Sequence, residues 1–172
     1  MYEDNKTTYL SLNTNALISK GICTFADVMH SISELESELI EEFSLFDNWM
    51  DRYQYIIEMG QNLPPLDEAH KQASNLVHGC QSQVWLVAEE QDGKLMYFAD
   101  SDAIITKGLI AMLMRVLSGH EPKDIIQTEL RFVDAVGIRE HLSPTRSNGL
   151  NNMIKQMKYY ALAFEARRAK ES

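Results

Sequence analysis

The chain is poor in cysteine and has no long apolar run. Only two of its 172 residues are cysteine, Cys23 and Cys80, which is too few for a disulfide framework. The N-terminus shows no basic segment followed by an apolar one, so we expect a cytoplasmic protein whose thiols are free. No apolar run approaches the roughly 20 residues that span a bilayer, and we therefore predict no membrane partner.

Positive charge is also scarce. The chain has 16 basic and 25 acidic residues, which gives a net charge of −9. Nucleic-acid binding needs clustered positive charge, so nucleic acid is excluded as a partner. An apolar content of 45% and a charged content of 24% are typical of a globular domain with a sizeable core.

The hydrophobic pattern divides the chain into two parts. Residues 1–30 show no sustained period and are punctuated by Asn, Thr and Gly, so we interpret them as an N-terminal extension. Cys23 lies in this extension, and we interpret it as incidental. Residues 31–172 carry regular patterns and are predicted to form the functional domain.

Capping residues mark the start of the first helices. Ser33 and Glu36 match a capping box and predict a helix start there. Asp47 or Asn48 is expected to cap a second helix, and Gly60 is expected to end it. Both helices have an apolar stripe on one face, which predicts that they pack on a common core.

Strand signals follow in the middle of the chain. Residues 83–89 and 95–99 flank Asp92-Gly93, a typical hairpin turn, and residues 130–133 predict a third strand. The segment around Asp102 is expected to cap a helix over 103–117, and a polar segment over 141–149 opens the last helix. The predicted class is α+β, a small antiparallel three-stranded sheet with helices packed on one face.

A short polar turn precedes the first strand and carries Cys80. Its sequence is His78-Gly79-Cys80-Gln81-Ser82-Gln83. We expect the cysteine to lie on a loop held by a rigid strand, where reactive groups are often found. A buried and inert cysteine is the alternative at this point.

Three kinds of chemistry suit a lone cysteine to different degrees. A metal centre needs three or four ligands, and His78 with Cys80 supplies two, so we predict no metal and no cofactor. A cysteine hydrolase needs a base, for which His78 or His141 is available, but no hydrolase signature surrounds Cys80. A sulfur carrier needs one nucleophilic thiol and a route for the donor, which makes it the simplest fit.

The residues around Cys80 resemble a known signature. Gly79-Cys80-Gln81-Ser82-Gln83-Val84-Trp85 is similar to the cysteine block of SufE-type proteins, the sulfur-acceptor partners of cysteine desulfurases. Three further blocks agree in co-linear order, and they lie at residues 49–63, 100–111 and 142–150. The resemblance covers about residues 33–160.

This resemblance implies a function for Cys80. It would take persulfide sulfur from a SufS-type cysteine desulfurase, stimulate that enzyme, and deliver the sulfur to an iron–sulfur scaffold complex. The protein would then be an accessory partner rather than a stand-alone enzyme. The implied fold is α+β and similar to that of SufE and the IscU scaffold.

The resemblance also implies roles for residues near Cys80. The cysteine loop would be tucked inward at rest, with Asp102 helping to hold it and Arg146 favouring the thiolate. For both residues, helix capping is the alternative. His78, Gly79, Gln81 and Ser82 would shape the loop.

Two competing functions stay open at this stage. The protein could be a non-carrier module that only activates the desulfurase, or an iron–sulfur scaffold. A cluster needs several thiolate or histidine ligands, which argues against a scaffold with one central cysteine.

Overall fold

The computed structural model of the chain describes residues 30–171. The predicted N-terminal extension therefore lies outside the described residues, except for His30, and so does Cys23. The described part begins at the first helix of the predicted domain.

Helix α1 runs over Ile32–Ser44 and starts two residues earlier than predicted. Its capping box pairs Ser31 with Glu34, so the predicted pair of Ser33 and Glu36 is wrong. Glu36 is instead buried, and its carboxylate accepts a hydrogen bond of 3.1 Å from the backbone N–H of Phe132. The position of Glu36 is therefore explained by a tertiary contact with a distant segment and not by local helix capping.

Helix α2 runs over Trp49–Gln61 and is capped by Asn48, one of the two predicted caps. The helix continues through Gly60, which therefore does not end it. Gly60 instead faces Gly108, which lies in a later helix, and a Cβ on Gly60 would lie 2.6 Å from the Gly108 nitrogen. The two glycines let the two backbones cross in direct contact.

The sheet is one antiparallel hairpin. Strand β1 spans Val84–Gln91, strand β2 spans Lys94–Ser101, and the register pairs Val84 with Ser101. Both turn residues have positive φ, 53° at Asp92 and 81° at Gly93, as the predicted Asp-Gly hairpin requires. Alternate residues point into the core: Val84, Leu86, Leu95, Tyr97 and Ala99.

The α+β class is confirmed, but the predicted third strand at 130–133 is wrong. Helix α5 occupies Phe132–Ala135. Phe132, Val133 and Val136 are all buried, which is a helical spacing rather than the alternation of a strand. Within residues 30–171, the edges of the hairpin gain only isolated bridges, from Leu76 to Trp85 and from His120 to Leu95.

Helix α3, Ile104–Leu117, is the central element and contacts α1, α2, β2 and the last helix of the domain. Its N-cap is Ala103, which makes no side-chain cap, so the predicted capping by the Asp102 segment is wrong. Helices α4, α6 and α7 complete the described domain over Pro122–Gln127, Ile138–His141 and Pro144–Glu171. Within residues 30–171, no helix has the length and apolar character needed to cross a membrane.

Candidate functional site

The cysteine turn is the tip of a second, very short hairpin. Leu76 forms a bridge with Trp85, and the Val77 N–H donates a 2.8 Å hydrogen bond to the Val84 carbonyl. Residues 78–83 are thus closed at their base by the start of β1. The structure places Cys80 where the sequence predicted it, on a loop held by a strand.

Cys80 lies half-buried against helix α7. Its Sγ is 3.6 Å from the Gly149 carbonyl oxygen, within range of a weak S–H hydrogen bond. A Cβ on Gly149 would lie 3.5 Å from the same sulfur, so the bare backbone of the helix forms the contact surface. Burial raises the pKa of the Cys80 thiol above its ordinary value, which keeps it protonated in this conformation.

A cavity of about 320 Å³ opens beside the thiol. Its walls come from the cysteine turn, the start of α3 and the start of α7. Leu109 and Met153 supply apolar surface, and Thr106 and Thr145 supply hydroxyl groups. The cavity is partly open, so a small group or the end of another side chain could enter it.

Asp102 and Ser82 fasten the turn to the start of α3. The Gln83 N–H donates to Asp102 Oδ1 at 2.9 Å, and the Ser82 hydroxyl donates to Thr106 Oγ1 at 3.0 Å. Asp102 is therefore a bracing residue for the cysteine turn in this conformation. Both it and Ser82 line the cavity, as does Gln81.

Arg146 lies in the first turns of α7 and lines the same cavity. Its effect on the Cys80 thiolate stays a prediction. The pKa of Cys80 is raised, and burial is the cause. Arg146 is exposed, so its charge is screened by water.

The histidines do not meet Cys80. His78 is exposed and, like the other histidines of residues 30–171, does not line the cavity. His141 stacks on Trp49 with ring centroids 4.0 Å apart, and its Nδ1 is 2.9 Å from the Gly137 carbonyl oxygen. The hydrolase interpretation therefore lacks a positioned base in the described structure.

Helix α7 supplies residues that sequence analysis did not single out. Gly149 gives the cysteine its contact surface, and Asn152 Nδ2 donates a 3.1 Å hydrogen bond to the Gly79 carbonyl. Thr106 of α3 accepts a hydrogen bond from the Ser82 hydroxyl. The only sequence signal was the position of Gly149 in the last block, because pairing across 73 residues leaves no local pattern.

The described residues contain no group of three or more His, Cys, Asp or Glu side chains arranged to hold a metal ion.

Comparisons with known proteins agree with this geometry. Residues 37–161 match the family described as SufE, Fe-S metabolism associated domain. The chain is 40% identical over 126 residues to an uncharacterized SufE-like protein of Rhizobium meliloti, which covers 70% of this chain and 90% of the relative. It is 39% identical over 129 residues to an uncharacterized SufE-like protein of Synechocystis, covering 75% of this chain and 81% of that one.

Two further similarities extend the comparison. SufE-like protein 1, chloroplastic/mitochondrial, of Arabidopsis thaliana is 38% identical over 148 residues, which are 84% of this chain but 40% of that longer protein. The solution structure of a hypothetical protein from Thermus thermophilus superposes with a TM-score of 0.63 at 21% identity, covering 80% of this chain and 97% of the other. That structure shows the fold, and the family match shows that this chain belongs to the SufE family, whose domain is associated with iron–sulfur metabolism.

Proposed function

We propose that the domain starting at residue 31 is a sulfur acceptor that carries sulfane sulfur on Cys80. The observation that carries this proposal is the half-buried thiol on a hairpin tip, lying against α7 beside an open cavity. Membership of a family associated with iron–sulfur metabolism supports it. The donor is a SufS-type cysteine desulfurase, and the recipient is an iron–sulfur scaffold complex.

The chemical step is a transfer between two cysteine sulfurs. The Cys80 thiolate attacks the outer sulfur of the donor's cysteine persulfide, a new S–S bond forms, and the donor's own S–S bond breaks. The donor cysteine leaves as a thiolate, and Cys80 becomes the persulfide. No net oxidation or reduction occurs, and no cofactor is required.

The resting structure requires a movement before this step. Cys80 is protonated because burial raises its pKa, and its half-buried sulfur lies 3.6 Å from the Gly149 carbonyl oxygen. The turn over 78–83 must move away from α7 for the thiol to ionise in water and meet a donor. We assign Asp102 and Ser82 to holding the inward form, and Gln81 to shaping the turn.

The remaining predicted residues act around this movement. Gly79 has φ of 81°, which a residue with a side chain resists, so it shapes the turn. His78 is exposed beside it, where a partner can contact it. We assign Arg146 to the released form, in which it can stabilise the Cys80 thiolate. The cytoplasm, where thiols stay reduced, is the expected setting.

Intact mass spectrometry tests the acceptor role. The protein is incubated with a SufS-type cysteine desulfurase and L-cysteine, and its mass is expected to rise by one sulfur atom on Cys80. Cys23→Ser is the matched control and should gain the same mass. Cys80→Ser should gain none and should fail to stimulate cysteine turnover.

Other outcomes would contradict the proposal in distinct ways. Full stimulation by Cys80→Ala would favour a non-carrier module that only activates the desulfurase. A chromophore that depends on Cys80 after anaerobic reconstitution with iron and sulfide would favour a scaffold.

A further inference from the structure

We infer that Asn152 is a positioning residue that clasps the cysteine turn onto helix α7 and sets how often the turn releases Cys80. The inference rests on the proposed function for its biological meaning. Its physical basis is the hydrogen bond of 3.1 Å from Asn152 Nδ2 to the Gly79 carbonyl oxygen. This bond joins the residue immediately before Cys80 to the helix on which the thiol rests.

Asn152 and Gly79 fit each other closely. A Cβ on Gly79 would lie 2.4 Å from Asn152 Nδ2, so the bare backbone is what admits the amide. Gly79 also has a φ of 81°, which turns its carbonyl group toward α7 in a conformation that other residues resist. Gly79 therefore has two roles: it allows the shape of the turn, and it leaves room for the Asn152 amide to reach the backbone.

Asn152 makes the stronger of the two hydrogen bonds between the turn and α7. The other is the Cys80 S–H donating to the Gly149 carbonyl at 3.6 Å, and a thiol is a weak donor. Gly149 and Asn152 are three residues apart on α7, so both contacts lie on one face of the helix. Releasing Cys80 from this face requires both contacts to break.

Loss of the clasp should therefore increase the released population. One neutral hydrogen bond contributes enough free energy to change such an equilibrium about two- to tenfold. The hydrogen bonds of Asp102 and Ser82 fasten the other end of the turn near the start of α3, and Asn152 takes no part in either of them.

Alkylation of Cys80 measures the release without any partner protein. In a Cys23→Ser background, iodoacetamide should modify Cys80 about two- to tenfold faster in Asn152→Ala than in the parent, because the rate follows the released population. Asn151→Ala is the matched control. Its Oδ1 accepts a 2.6 Å hydrogen bond from Arg139 rather than contacting the turn, so its alkylation rate should equal that of the parent.

Asn152→Leu separates hydrogen bonding from packing. Leucine has a similar volume to asparagine and lacks the hydrogen-bond donor, so Asn152→Leu should also accelerate alkylation of Cys80. If Asn152 acted only by packing, this variant would be alkylated at the rate of the parent. An unchanged rate in both Asn152 variants, or an equal acceleration in Asn151→Ala, would overturn the inference. Urea unfolding checks that the Asn152 variants keep the parent's global stability.

The desulfurase assay gives a second readout. A larger released fraction lowers the acceptor concentration needed for half-maximal stimulation by the same factor and leaves the maximal rate unchanged. Faster alkylation without any persulfide on Cys80 would support the clasp and refute the proposed function. Persulfide formation on Cys80 with an unchanged alkylation rate in both Asn152 variants would support the proposed function and refute the clasp.

Discussion

Cys80 is held in a form that favours the neutral thiol over the nucleophilic thiolate. Burial against Gly149 raises the pKa of its thiol, and the neutral thiol is the form that this environment favours. The pKa of Cys80 is higher in the folded protein than in the unfolded chain. The contribution of the neutral Cys80 thiol to the stability of the folded state is therefore fully present below the unfolded pKa of about 8.5. It is lost as the pH rises through the folded pKa.

The upward shift of the Cys80 pKa on folding gives a prediction for the pH dependence of alkylation. In a Cys23→Ser background, the midpoint of the iodoacetamide profile of Cys80 should lie at higher pH in the folded protein than in urea. The reason is that closure against α7 holds the proton on the thiol. A folded midpoint at or below the unfolded one would show that a nearby cation, such as Arg146, outweighs burial.

Polar residues were the hardest to assign from sequence. Glu36 matched a capping box but is buried, with its carboxylate accepting the Phe132 N–H. Asp102 was expected either to help hold the cysteine loop or to cap a helix, and its carboxylate accepts the Gln83 N–H. A short polar side chain satisfies a local or a distant donor equally well, so only the folded chain shows which donor it meets.

Helices α2 and α3 cross at two glycines. A Cβ on Gly108 would lie 2.1 Å from the Ile56 carbonyl oxygen and 2.6 Å from the Ile56 Cγ2. A backbone carbonyl within a helix cannot move aside without breaking its own hydrogen bonding. The close approach of these two helices therefore depends on the absence of a side chain.

Gly108→Ala should lower the free energy of unfolding by about 2–3 kcal/mol, because overpacking exceeds the gain in helix propensity. Urea denaturation followed by circular dichroism measures the change.

Gly149→Ala is the matched control within a helix. Its Cβ would meet Cys80 at ordinary contact distances of 3.5–3.8 Å, so stability should stay the same or rise by about 0.5–1 kcal/mol. Equal destabilisation by the two variants would contradict the crossing argument.

Helix α7 links the cysteine site to the sheet over the length of the domain. Its 28 residues span about 42 Å at the usual rise. The Tyr97 hydroxyl donates to the Met157 carbonyl at 2.7 Å, and the Tyr160 hydroxyl donates to the Leu86 carbonyl at 3.0 Å. These two hydrogen bonds attach α7 to the sheet, and α7 supplies the Gly149 backbone that contacts the cysteine turn.

Tyr97→Phe should therefore destabilise the protein by about 1 kcal/mol, since it removes one buried hydrogen bond and little apolar surface. Tyr159→Phe on α7 is the control, because Tyr159 is 65% exposed and should be replaceable at no measurable cost. Thermal or urea unfolding of the two variants checks this. Equal stability of Tyr97→Phe and the parent would show that the bond does not hold α7.

Local patterns along the chain were enough to establish the α+β class, the Asp-Gly hairpin, most helices and the position of Cys80 on a turn before a strand. These features follow from short-range signals, since periodicity, caps and turn residues act over a few positions.

Folding in three dimensions settled that Phe132 and Val133 join a helix, that Gly60 and Gly108 form a crossing, and that α7 contacts the thiol. It also brought Asn152 to Gly79 across 73 residues of chain. Such pairings are fixed by packing and by the satisfaction of buried polar groups, which involve residues far apart in sequence.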